Sequence, residues 1–232
     1  MNVKVIVSTM NGEFNPEFYP QGDYSVIIIN QGTKLTLDSN DNMTVVNTET
    51  RGLSISRNIG LSYCSSGDIC ILTDNDVCFY SGFDTEIKNS FLSTKSDIIT
   101  FKVNDINNEP FKKKYYNKTF HHNEMSIMKV SSIEIALRID DSIIFFDERF
   151  GLGGNIPIGE ENIFLSDNLK EKKKITYIPK IICKHVDDIH TGTVFNLKTF
   201  QYRWLVFKRI YGFWKALIIY IAFNLKNVKK FF

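Results

Sequence analysis

Four short apolar runs, each stopping at polar residues, constrain this chain more than any other feature. They are VKVIVST (3–9), YSVIIIN (24–30), MTVVNT (43–48) and DICILTD (68–74). Continuous apolar runs of this length, rich in Val and Ile, suit strands buried on both faces. Ahead of the fourth run, LSISRNIGLSYCSSG (53–67) sets Leu53, Ile59, Leu61 and Tyr63 among small and polar residues. A start at Ser54 or Ser56 and a stop at Gly67 predict a helix of about three turns. Strand–helix–strand alternation argues for an α/β layer structure around a mostly parallel central sheet flanked by helices. Ligands of such sheets bind outside the carboxyl ends of the strands, where Thr9, Asn30 and Asp74 fall.

The middle of the chain is less regular. SDIITFKV (96–103) predicts a strand, and the polar, basic stretch 104–123 predicts an irregular excursion holding His121 and His122. SSIEIALRID (131–140) and SIIFFDERF (142–150) fit strands, or a strand and a turn. GLGGNIPIG (151–159) must turn sharply. It lacks the G-x-G-x-x-G spacing of a dinucleotide-binding loop and does not open the first βα unit. EENIFLSDNLKEKKK (160–174) reads as an amphipathic helix, and ITYIPKIICKH (175–185) returns as a strand.

Phe200, Trp204, Phe207, Tyr211, Trp214, Ile218, Ile221, Leu225 and Val228 follow at spacings of four and three, one stripe of a single C-terminal helix. Beyond Asp188 there is no acid, but there are eight Lys and Arg, among them Lys229 and Lys230. Twenty basic against twenty-six acidic residues remain in 1–188, so an acidic body carries a basic tail. That balance argues against nucleic-acid binding by the body. ALIIYIAFNL (216–225) is too short to span a bilayer, so a basic amphipathic helix at an anionic membrane surface is expected; core packing or oligomerisation is the plain alternative. We therefore divide the chain into a body, 1–195, and a tail, 196–232. Four scattered cysteines and a start without signal-peptide character fit a reduced, cytoplasmic setting, with the tail peripheral on the cytoplasmic face of the inner membrane.

Asp74-Asn75-Asp76 closes the fourth run. Alternation sends the two outer carboxylates the same way, and hard cations such as Mg²⁺ or Mn²⁺ take one or two carboxylates beside phosphate oxygens. An Asp-rich turn is the plain reading of the triplet taken alone.

Its context sharpens it. RGLSISRNIG (51–60), Gly67-Asp68, the apolar strand and Asp74-Asn75-Asp76 together resemble the nucleotide-sugar half of family 2 glycosyltransferases of the GT-A fold. FDERFGLGGNIPIGEENIFLSDNL (146–169) resembles that family's acceptor-side segment. The resemblance covers roughly 3–190. It implies a metal-dependent, inverting transfer from a nucleotide-diphosphate sugar, a UDP-sugar, to a saccharide or lipid-linked acceptor in bacterial capsule or O-antigen synthesis. It also implies that Thr9, Asn30 and Gln31 line the nucleoside pocket, and that Arg57 and Asn58 orient the donor. Asp74 would contact ribose or metal, Asn75 would replace a frequent middle Asp, and Asp76 would ligate Mn²⁺ or Mg²⁺. His185, with His190 behind it, would approach the metal. Glu161 would be the general base with Glu160 beside it, although both acids also suit a helix N-terminus. A sugar nucleotidyltransferase and a non-catalytic membrane-surface adaptor are the alternatives. The first usually opens on a Gly-rich basic loop absent from VIVSTMNGEFNP, and the second leaves the acidic clusters unexplained.

Overall fold

The computed structural model describes residues 1–187 and 197–227. The first two runs form β1 (Val3–Met10) and β2 (Tyr24–Gln31), with a 3-10 turn at Pro16–Phe18 between them, and β3 (Met43–Thr48) follows. Next come α1 (Leu53–Ser62), β4 (Ile69–Asp74), β5 (Val77–Phe79), α2 (Phe83–Thr94) and β6 (Ile98–Asn104). The remainder holds β7 (Phe120–His121), β8 (Ile135–Arg138), α3 (Glu160–Lys170), β9 (Ile175–His185), α4 (Leu197–Tyr211) and α5 (Phe213–Asn227).

Among the described residues the strands make one nine-stranded sheet, ordered β3-β2-β1-β4-β8-β6-β9-β5, with β7 added to β9. β1 to β4 run parallel, and β8 enters antiparallel between β4 and β6. Side chains alternate between two cores, which is why the runs carry no polar face. Ile6, Cys70 and Leu72 pack with Leu61 of α1 and Phe164 of α3; Val5, Val7 and Ile71 pack with Ile87 and Phe91 of α2. Strand order reverses at β1, with β2 and β3 stacked on one side and β4 on the other. Such a switch point opens a crevice at the carboxyl ends. The register sets Ser8 opposite Asp74 and Thr9 opposite Asn30 on that rim.

Four expectations need correction. α1 stops at Ser62 rather than near Gly67, because Asp68 accepts a hydrogen bond from the Ser65 amide and folds 63–68 into a turn. α3 ends at Lys170, short of 174; Lys172 takes a left-handed conformation and the Lys173 amide bonds back to Asn168. The apolar stretch 142–150 forms no strand. Two asparagine side chains stand in for strand partners there: Asn168 bonds both backbone groups of Ile144, and Asn58 bonds both of Phe146. Finally, the single C-terminal stripe breaks at Gly212 (φ 72°) into α4 and α5, which pack on each other. The boundary expected at 195/196, like Asp188, His190, Val228, Lys229 and Lys230, lies outside the described residues.

Candidate active site

The segment 52–60 is built to deliver one arginine into the crevice. Gly60 of α1 lies so close to β1 that a Cβ there would stand 2.3 Å from the Ile6 side chain. Ser56 bonds Ser8 at 2.9 Å, and Ser54 bonds the Phe150 carbonyl at 2.6 Å. Held this closely, α1 sends Arg57 inward, where its side chain has no exposure. Its Nη1 bonds Glu160 at 2.9 Å and its Nη2 bonds Asp74 at 3.2 Å, with the guanidinium over the Phe146 ring. One buried cation thus ties the end of β4 to the start of α3.

Glu161 is the neighbour that this bridge leaves out. Its carboxyl is pushed well above its ordinary value by burial and by the adjacent Glu160. Burial raises Asp74 as well, against the pull of Arg57, and the Asp76 charge adds to the rise.

Asp76 lies in the two-residue turn that joins β4 to β5. Antiparallel pairing of β5 with β9 sets Val77 opposite His185, so Asp76 Oδ2 lies 3.1 Å from His185 Nε2. His185 Nδ1 donates to the Asp187 carbonyl at 2.7 Å, and the ring is held above its ordinary pKa chiefly by the Asp76 hydrogen bond. The other oxygen, Asp76 Oδ1, is buried with no partner among the described residues. Asn75 points elsewhere, to Glu13 at 3.2 Å. No three His, Cys, Asp or Glu side chains converge on one point among the described residues.

Tyr19 is a site residue that the sequence reading missed. Its ring stacks on Phe14 with centroids 5.2 Å apart, and its buried hydroxyl has no partner among the described residues. Its ring also lies 6.0 Å from that of Phe79 on β5, and burial first, then the charge of Asp74, pushes its ionisation upward. Only the aromatic cluster Phe14, Phe18 and Tyr19 beyond the first strand could have signalled it.

Other expected residues frame the crevice. Thr9 donates to the Glu13 carbonyl. Asn30, fully buried, bonds Gly12, Thr33 and Asn47, and Gln31 bonds Thr50 and Gly52. Their amides are engaged in shaping the loops beyond β1, β2 and β3. Asn58 fixes Phe146 and Glu148. His122 bonds Thr100 and Ser126, and burial lowers its pKa to about 4. The excursion 104–119 is pinned by Lys112 and Tyr115 to buried Glu134, and it brings the Phe111 ring 5.3 Å from His185.

The central sheet flanked by helices, with its switch point at β1, has the architecture of a GT-A fold. The family model for glycosyl transferase family 2 matches residues 20–157, more than half of the chain, and the chain belongs to that family. Among solved structures, S. aureus TarS 1-349 in complex with UDP aligns with TM-score 0.66 at 17% identity, over 90% of this chain and 65% of that one. The complex of the same TarS fragment with UDP-GlcNAc aligns with TM-score 0.66 at 15% identity, over 90% and 66%. A further S. aureus TarS structure aligns with TM-score 0.64 at 17% identity, over 89% of this chain and 39% of its own length. The chain therefore spans just under two thirds of the TarS fragment. No curated protein matches it in sequence.

Proposed function

We propose that this protein transfers a sugar from a nucleotide-diphosphate sugar, a UDP-sugar, to a saccharide acceptor during synthesis of a bacterial surface polysaccharide. The observation that carries this reading is the Arg57 bridge, which sets a donor-side acid and an acceptor-side acid across one crevice. UDP and UDP-GlcNAc, bound by the structurally similar TarS, support the choice of donor class.

The donor diphosphate lies at the rim formed by Asp74 and Asp76, and the Tyr19 hydroxyl donates to it. The unpartnered Asp76 Oδ1 fits a hard cation, with Asp74 and His185 beside it. Mg²⁺ or Mn²⁺ held there would offset the charge that develops on the departing diphosphate. Glu161 takes the proton of the acceptor hydroxyl while that oxygen bonds to the anomeric carbon and the carbon–diphosphate bond breaks. One such displacement inverts the anomeric centre. A raised carboxyl pKa makes Glu161 a stronger base, and Glu160 cannot compete because Arg57 holds it. The acceptor saccharide is lipid-linked, a reading supported by the basic tail, and the enzyme works at the inner face of the cytoplasmic membrane.

A thermal-shift screen of UDP-, GDP-, dTDP- and CMP-sugars with Mn²⁺ tests the donor, because a ligand of the native state raises Tm. UDP-sugar stabilisation followed by UDP release supports transfer. Formation of UTP and sugar 1-phosphate from a UDP-sugar and added pyrophosphate would instead identify a nucleotidyltransferase and overturn the reading.

A further inference from the structure

The fold divides the C-terminal apolar stripe into two faces with different fates. Phe200, Trp204 and Phe207 of α4 turn toward Tyr220 and Phe223 of α5, with ring centroids 5.4–6.4 Å apart. These rings form the seam between the two helices. The opposite side of α5 carries Trp214, Leu217, Ile218, Ile221 and Leu225, exposed by 77, 36, 71, 51 and 72%. Spacings of three and four place all five on one helical face. Lys215 is turned away from it, paired with Glu124 and set over the Tyr211 ring. An uncharged apolar face this continuous marks an interaction site rather than ordinary surface.

Charge decides between occupants. The sequence beyond Asp188 contains eight cations and no acid. Arg209 and Lys215 pair with acids of the body, and the remaining six with no acid among them match an anionic lipid surface. Length decides the geometry. Fifteen residues of α5 reach about 22 Å, less than the ~30 Å core of a bilayer. No helix among the described residues is long and apolar enough to cross a membrane. We infer that the outward face of α5 alone lies flat in the headgroup region of an anionic lipid leaflet, while α4 fixes the catalytic body above it.

The coupling to the body is explicit. Val206 and Ile210 of α4 pack with Phe150 and Ile163, and Gly159 approaches Val206 so closely that a Cβ would stand 2.8 Å from it. Arg209 bonds Asp167 of α3 and Asp147. Docking through α5 therefore brings the α3 side of the crevice, with Glu160 and Glu161, toward the lipid. This last step rests on the glycosyl-transfer reading; the docking itself does not.

The test uses the whole chain with vesicles of phosphatidylcholine, with or without phosphatidylglycerol. Co-sedimentation should require the anionic lipid and weaken with salt. The variant Trp214→Ser/Ile218→Ser/Leu225→Ser changes only exposed positions, and it should lower partitioning roughly tenfold or more while Tm and donor binding persist. With Trp204→Phe, Trp214 is the sole tryptophan, and its emission should shift to the blue and be quenched by brominated acyl chains. A wild-type dimer that ignores vesicles and dissociates in the triple variant would overturn the inference in favour of a second copy. A monomer indifferent to vesicles would overturn it as well. Donor binding, read separately, reports on the transfer reading and leaves the vesicle result unaffected.

Discussion

Two arginines each bridge two carboxylates in this protein, at different depths. Arg57 has no exposed side-chain surface and joins Glu160 to Asp74. Arg209, 30% exposed, takes Asp167 in a two-bond fork at 3.0 and 2.6 Å and Asp147 at 3.1 Å. Asp147 also bonds Arg149, and the two arginines hold its pKa at about 2, with Arg149 the larger cause. Water can compete with Arg209 directly, but the Arg57 guanidinium is sealed from solvent and its Glu160 partner nearly so, with only Asp74 partly open at 31% exposure. The buried bridge therefore fixes the geometry of the crevice, while the outer one fastens a helix pair to the body.

The strongest way to break this comparison is Arg57→Met. It leaves Glu160 and Asp74 in the crevice without their cation and should cost about 3–5 kcal/mol in urea unfolding. A loss near 1 kcal/mol would make the two bridges equivalent.

Glu161→Gln tests the acid that the buried bridge leaves free. Turnover at saturating substrates should fall about 10²–10⁴-fold with donor binding intact; normal turnover would remove Glu161 as the base. The same variant has a pH signature. Because the fold raises the Glu161 pKa above its ordinary 4.5, the native state keeps a proton that the unfolded chain has lost, and stability drains as pH rises through that window. Glu161→Gln should therefore melt higher than wild type at neutral pH, with the gap closing near pH 4. A gap that widened on acidification would contradict the assignment.

Tyr19→Phe probes the donor end of the same bridge. UDP binding in Mn²⁺ should weaken about three- to tenfold, whereas uridine, which lacks the diphosphate, should bind both proteins alike. At the outer bridge, Arg209→Ala should cost only about 0.5–1 kcal/mol, a loss visible in Tm but not in donor affinity. The smallest effect belongs to Asn75→Asp. Asn75 faces Glu13 rather than Arg57 or Asp76, so turnover should stay within about twofold of wild type, the scale of a neutral surface change.

The contrast between the bridges also marks what was legible beforehand. Arg57, Asp74 and Glu160 sit in the two motif blocks that resemble family 2 glycosyltransferases, and that resemblance, rather than spacing alone, singled them out. Arg209 lies in a tail read as a separate basic helix, and nothing local told that its guanidinium reaches two aspartates of the body. Tyr19 escaped for a similar reason: it belongs to a loop with no fixed spacing from Thr9. Asn30 and Asn58 were placed at the correct strand end and helix, yet their amides are occupied by loop backbone, Gly12 and Thr33 for Asn30 and Phe146 for Asn58.

By itself the sequence determined the parallel strand layer, the strand-end position of its acids and the two motif blocks, because each depends on periodicity or short spacing. Only the tertiary structure decided which acids share a cation, which carboxylate oxygen is left unpartnered, and which half of the C-terminal stripe faces outward. Those outcomes join residues far apart in the chain, such as Arg57 with Glu160 and Asp76 with His185. Sheet register and helix packing choose such pairs, and no local pattern encodes them.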